Sequence, residues 1–282
     1  MINSNGILLE NDKAHFHIDN RGYAYGDALF ETIRVNAKQI LFWEDHYFRL
    51  MASMRILRME IPMQFTPEFL EQEILNLIER NHLSDASVRV KLMVHRVAKG
   101  LYTPTSNEVA YAITASHLPS NFYTINDTPY EVSLFKDHYI AADLISTLKT
   151  NNKVVNVLAG IFAKENGFDN CLLMNANKMI IEALNGNLFL VKGKVIKTPP
   201  ISDGCLKGVL RTQLLRILKN ISEYEVQEAS ISPFELQKAD ELFITNVIQG
   251  IQPIHKFRKK EYNNATSKRV LGILNTKVRL GN

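Results

Sequence analysis

The stretch NRGYAYGDALFETIRV, residues 20–35, decides the reading of the fold. Gly26 and Asp27 make a turn, and the β-branched and aromatic residues after them read as a strand over Ala28 to Val35. The chain then enters WEDHYFRLMASMRIL, residues 43–57. Tyr47, Leu50, Met51, Met54 and Leu57 recur there at helical spacing, which predicts a helix over Glu44 to Met59. Thr66-Pro67 opens a second helix with Leu70, Ile74, Leu77 and Ile78 on one face. Val88 to Val97 and Val109 to Ala115 read as strands joined by a loop holding Gly100 and Pro104. These elements describe a small α+β domain over residues 1–116.

Residues 117–129, with two prolines and few aliphatics, read as a connection. A larger α/β domain follows over residues 130–282, so the chain as a whole is of the α/β class. It starts with a strand near Tyr130 to Phe135. A helix over Val154 to Lys164 is closed by Asn166-Gly167. Short strands fall at Cys171 to Met174, Met179 to Ile181, Leu188 to Val191 and Glu241 to Thr245. Helices are expected over Leu206 to Leu218, entered through Asp203-Gly204, and over Ser267 to Val278. No internal repeat is present, which excludes solenoids and propellers.

Composition removes several classes of function. The 282 residues carry 33 Lys+Arg against 29 Asp+Glu, a surplus too small and too scattered for a nucleic-acid partner. The most basic stretch, Lys256 to Lys260, is followed at once by Glu261. Cys171 and Cys205 form neither a disulfide framework nor a zinc spacing and read as buried thiols. No apolar run approaches the roughly 20 residues that cross a bilayer. No leader pattern is evident, so a cytoplasmic protein with no membrane partner is expected. G-x-G-x-x-G, Walker, H-E-x-x-H and G-x-S-x-G patterns are all missing. His15 and His17 alternate without a third ligand, and His46 and His95 have no nucleophile at readable spacing, so no metal is expected.

Four features are odd for plain packing. Lys149 sits in LISTLKTNN after an apolar stretch, and Glu182 ends the strand MII with apolar sequence on both sides. Gly208-Val209-Leu210 opens a helix whose free N–H groups suit an anion. Arg49 lies off the apolar stripe of the first helix.

With NRGYAYGDALFETIRV and WEDHYFRLMASMRIL, the later pieces LKTNN, GFDNCLLMN, IIEALNGNLFLVKG, TPP…CLKGVLR and ELFITNVIQGIQPI resemble, in order, the class IV aminotransferase family. That family comprises branched-chain aminotransferases, D-amino-acid aminotransferases and 4-amino-4-deoxychorismate lyases. The resemblance runs from Asn20 to Ile254. It implies a D-amino-acid aminotransferase-like fold, pyridoxal 5'-phosphate (PLP) as cofactor, a small-molecule amino and carboxylate substrate, and a homodimer. It assigns Lys149 the covalent bond to PLP and the transfer of the α-proton. Glu182 is implied to face the pyridine nitrogen, and Arg49 to grip the phosphate with its planar fork. The N–H groups of Val209 and Leu210, after Gly208, together with Thr245 and Asn246, are implied to complete a phosphate cup.

Details select among the subfamilies. Asn152 stands three residues after Lys149, a K-x-x-N spacing similar to the lyases and D-amino-acid enzymes. Val154 replaces the Tyr of the branched-chain pattern K-x-G-G-N-Y, and Phe30 replaces a Tyr usual in D-amino-acid enzymes. GDALFET resembles the lyase form G-D-G-L-F-E-T, and Thr32 matches a lyase threonine near the substrate. Arg96 and Lys99 resemble the lyase run R-G-x-x-x-R-G-Y, one residue shorter and with Lys for its second Arg, and are expected to attract a substrate carboxylate. The resemblance thus implies a lyase releasing pyruvate and 4-aminobenzoate for folate biosynthesis. The alternative is a branched-chain or D-amino-acid transaminase. A silent scaffold is disfavoured by the intact set Lys149, Glu182 and Arg49.

Overall fold

The computed structural model describes residues 1–13 and 17–280, so His15 lies outside the described residues. The chain divides into two compact units: Met1–Asn121 with Lys149–Asn152, and Phe122–Leu148 with Lys153–Asn282.

The first unit holds a six-stranded antiparallel sheet in the order β2-β1-β6-β5-β3-β4. Its strands are β1 (Ile2–Ser4), β2 (Ile7–Leu9), β3 (Ala28–Asn36), β4 (Gln39–Ile40), β5 (Ser87–Arg96) and β6 (Val109–Leu118). Three helices accompany them, α1 (Arg21–Ala24), α2 (Trp43–Ile56) and α3 (Pro67–Arg80). Alternation in β3 and β5 puts Leu29, Ile33, Val35, Val90, Leu92 and Val94 on one buried face, and α2 packs on β3. Each such aliphatic side chain contributes about 1.5–3 kcal/mol on burial. Helix α3 begins as its sequence demands: Thr66 accepts from Phe69 N, Pro67 occupies the first turn, and Leu70, Ile74, Leu77 and Ile78 are buried.

The second unit is a mixed sheet with the path β12-β11-β10-β9-β8-β7-β15-β16, and β13 joins β10 to β14. Its strands are β7 (Glu131–Leu134), β8 (Asn170–Met174), β9 (Ile180–Ala183), β10 (Gly186–Lys192), β11 (Val195–Thr198), β12 (Glu225–Glu228), β13 (Glu241–Asn246), β14 (Gly250–Ile254), β15 (Lys256–Phe257) and β16 (Lys260–Glu261). Its helices are α4 (Val154–Glu165), α5 (Val209–Lys219), α6 (Pro233–Lys238) and α7 (Ala265–Leu280). Helix α4 ends at Asn166, where Gly167 takes a left-handed φ of 72° and Phe168 N closes onto Ala163 O. Glu241 caps α7, accepting from Thr266 N and Ser267 N. Among the described residues no helix is long and apolar enough to cross a membrane.

Three expectations need correction. The connection does not stand apart, because Tyr123 bonds Asn275 and Val247 and ties its second half into the second unit. Residues 149–152 belong to the first unit, because Lys149 O accepts from Phe30 N and Thr150 bridges Leu29. Helix α5 starts at Val209 rather than Leu206, since Gly208 is extended and Leu206 N is held by Glu182.

Candidate active site

In the second unit the strand register lines up three polar side chains. Glu182 on β9 pairs with Asn187 on β10, and Asn187 pairs with Thr245 on β13, so all three share one face of the sheet. Glu182 is buried, and its Oε2 accepts from Leu206 N at 2.8 Å. Asn187 Nδ2 donates to Leu206 O at 2.8 Å, fixing the chain just ahead of α5. The start of α5 has no side-chain cap, which leaves the amides of Val209 and Leu210 to another acceptor. A Cβ at Gly208 would lie 2.0 Å from Asn187 Oδ1, so glycine alone lets the helix start sit on that carboxamide. Thr245 is buried beside Asn187, its Oγ1 3.5 Å from Asn187 O. Asn246 spends its side chain on its own turn, accepting from Ile248 N and Gln249 N and donating to Gln249. The row therefore offers Thr245, not Asn246, beside the uncapped helix start.

In the first unit, segment 149–152 is strung along β3. Phe30 N donates to Lys149 O, Asn151 N to Ala28 O and Asn152 Nδ2 to Gly26 O. Gly26 has φ +66°, and a Cβ there would lie 2.1 Å from Asn152 Oδ1. The K-x-x-N spacing thus has a physical cause: the Gly26-Asp27 turn is the seat of Asn152. Lys149 is half-buried, with Nζ 4.3 Å from the centre of the Phe30 ring.

Phe30, Thr32, Lys91 and Met93 share the sheet face opposite α2, with Thr32 directly across from Lys91. Lys91 Nζ lies 5.0 Å from the Phe30 centroid. Burial, and then the neighbouring Arg89, push the Lys91 amine below its ordinary value. Lys91 makes no ion pair among the described residues. Along the same face a pocket of ≈ 380 Å³ is lined by His17, Asn20, Ala28, Met93, His95 and Asn151, among others. Burial holds the His95 imidazole below its usual value, and Asn20 Nδ2 faces its ring at 3.2 Å.

Arg49 projects from α2 to the other face of β3. Its Nε donates to Glu31 Oε1 at 2.8 Å, its Nη2 to Glu31 Oε2, and His46 Nδ1 meets the same Oε2 at 2.7 Å. Burial alone raises the Glu31 carboxyl, but the Arg49 charge and the hydrogen bonds from His46 and Arg49 outweigh it and hold Glu31 at about 2.

Arg96 does not meet its expected role at a substrate carboxylate. It is only 6% exposed, and its guanidinium donates to Asp27, Asn107, Leu57 O and Arg58 O. Backbone carbonyls and a turn aspartate consume the fork, so it braces the loop that follows β5. Lys99 is exposed on that loop. Sequence reasoning passed over Asn187, Lys91 and Glu31, and the signal for each was register or alternation rather than a motif. Cys171 and Cys205 are buried, and burial pushes their thiols to about 11 and about 12, which leaves them unreactive.

In the first unit a lysine is held over a sheet face, and in the second a buried carboxylate stands in line with an uncapped helix start, a feature that suits a phosphate. Residues 28–257 match the family model for amino-transferase class IV, and the chain belongs to that family of PLP-dependent enzymes. Aminodeoxychorismate lyase of Vibrio harveyi is 25% identical over 86% of this chain and 87% of its own. Branched-chain-amino-acid aminotransferase of Escherichia coli is 26% identical over 89% of this chain and 82% of its own. The solved branched-chain aminotransferase of Thermobaculum terrenum in its PLP form superposes with a TM-score of 0.83 at 22% identity, covering 98% of this chain and 92% of that one. The α/β fold expected from the sequence is the fold of these enzymes.

Proposed function

We propose that the chain is a PLP-dependent lyase that removes pyruvate from 4-amino-4-deoxychorismate and leaves 4-aminobenzoate, a folate precursor. The observation that carries this reading is the cross-strand pair Thr32 and Lys91 beside Phe30 and Lys149. It sets a cation with no acidic partner among the described residues on the face that carries the reactive amine, as a substrate with two carboxylates needs. Lys99, on its exposed loop, is a second cation for the same substrate.

PLP supplies an electron sink that acidifies the proton on the carbon bearing the substrate's amine. Lys149 Nζ is the amine that would hold the cofactor covalently, and the same amine is the base that would hold and move that proton. Glu182, kept in place by Leu206 N, is the carboxylate that would partner the cofactor's ring nitrogen. Arg49 in the first unit, and the amides of Val209 and Leu210 with the Thr245 hydroxyl in the second, are the groups that would hold the phosphate. The α4 residues Val154, Val157, Leu158 and Ile161 form an exposed apolar stripe at helical spacing, and we take it as the face of a homodimer.

The test is release of 4-aminobenzoate and pyruvate from aminodeoxychorismate, run beside amino transfer from leucine and D-alanine to 2-oxoglutarate. Efficient transfer without 4-aminobenzoate overturns the lyase reading. The transaminase reading is favoured by the 26% identity with the Escherichia coli enzyme over most of both chains. Sedimentation of Val157→Glu against the parent tests the dimer: a lighter species supports the α4 face, and an unchanged mass overturns it.

A further inference from the structure

Glu31 is 2% exposed and His46 0%, an unusual depth for an acid and an imidazole that touch no reacting group. They lie under the sheet, on the face away from Phe30 and Lys149. A buried ion pair adds little stability over well-packed apolar side chains, so fold stability does not explain this one. Its geometry explains it better. His46 and Arg49 are three residues apart on α2 and therefore share a helix face. Both converge on one carboxylate, which takes the Nε–Nη2 edge of Arg49 in a two-bond fork. An ionised carboxylate only accepts, so His46 donates through Nδ1, and its buried Nε2 has no hydrogen-bond partner among the described residues, which suits a neutral ring. The cluster thus sets the Glu31 carboxylate against the Arg49 guanidinium, with hydrogen bonds to it from both Arg49 and His46. A free arginine on a helix samples many rotamers, and ordering it on binding weakens the contact it makes.

We propose that Glu31 and His46 are positioning residues: Glu31 fixes one edge of the Arg49 guanidinium, and His46 fixes Glu31, so that Arg49 is set in advance for the cofactor's phosphate. The inference rests on the reading that Arg49 binds that phosphate. It requires that losing either support weakens the grip on phosphate and on nothing else in the cofactor.

Equilibrium dialysis of the full chain with PLP and with pyridoxal, which lacks the phosphate, isolates that quantity as the ratio of the two dissociation constants. Arg49→Ala comes first. If it leaves the ratio unchanged, the assignment of Arg49 is wrong and the inference falls with it. With that reading intact, Glu31→Gln and His46→Leu are expected to shrink the ratio about tenfold, the scale of one charged hydrogen bond. His46→Asn, whose carboxamide can replace the Nδ1–H donor, is expected to restore the ratio to within about twofold of the parent. Glu31→Asp keeps the charge but retracts it by a methylene, and it serves if Glu31→Gln does not fold; it is expected to shrink the ratio in the same sense. An unchanged ratio in folded Glu31 and His46 variants overturns the inference. Equal weakening of PLP and pyridoxal also overturns it, because that is the mark of a merely structural role.

Discussion

The stability that Glu31 draws from its partners is readable in acid. The folded carboxyl sits at about 2 against an ordinary 4.5, and at 1.36 kcal/mol per decade the difference is worth about 3 kcal/mol. The sign follows from the direction. A depressed carboxylate stabilises the fold fully above its ordinary value and loses that contribution as pH falls through its folded value. Linkage puts the loss at about 1 kcal/mol by pH 4 and about 2 kcal/mol by pH 3. Glu31→Gln lacks the titration. It is expected to be less stable than the parent by about 3 kcal/mol at pH 7, with the gap closing to about 1 kcal/mol at pH 3. His46 is lowered by burial, and acid loading of the unfolded chain below about 6.5 therefore destabilises the parent as well. That contribution is present in both proteins and cancels to first order in the difference. Trp43, the only tryptophan, opens α2 three residues before His46, so its fluorescence during urea unfolding reports on this unit. A stability gap that stays constant from pH 7 to pH 3 refutes the reasoning, since it means that folding does not lower the Glu31 carboxyl.

Lys149→Ala is expected to keep the fold and to lose the PLP adduct that borohydride fixes; mass spectrometry of the digest checks it, and an adduct on another lysine removes the assignment. Glu182→Gln is expected to retain PLP in dialysis while turnover falls at least about a hundredfold, the lower end of the range for losing a well-placed electrostatic partner. Gly208→Ala places a methyl against the Asn187 carboxamide and is expected to cost about 1–3 kcal/mol by thermal unfolding, with part regained in Gly208→Ala/Asn187→Ala. Lys91→Ala is expected to raise KM for aminodeoxychorismate with kcat little changed; an unchanged KM removes Lys91 from the substrate.

What the sequence reveals of this molecule follows the range of its signals. Helix α3 is legible because cap, first-turn proline and apolar stripe all fall within fifteen residues of one another. The membership of residues 149–152 is illegible because backbone bonds to Phe30 and Ala28 decide it, and these leave no side-chain pattern. Arg96 shows the opposite failure. Its spacing resembles a substrate arginine, yet the carbonyls of Leu57 and Arg58 that occupy it are nearly forty residues away. Asn187 needs the register of three strands before it stands between Glu182 and Thr245. Glu31 lies between these cases. In β3 its neighbours on the same face, Leu29, Ile33 and Val35, are apolar, so alternation alone places a carboxylate in the core. A buried acid needs a partner, and the helix that covers this face offers a histidine and an arginine three residues apart. The structure adds the last step, the two-bond fork to Arg49, which partners the buried acid.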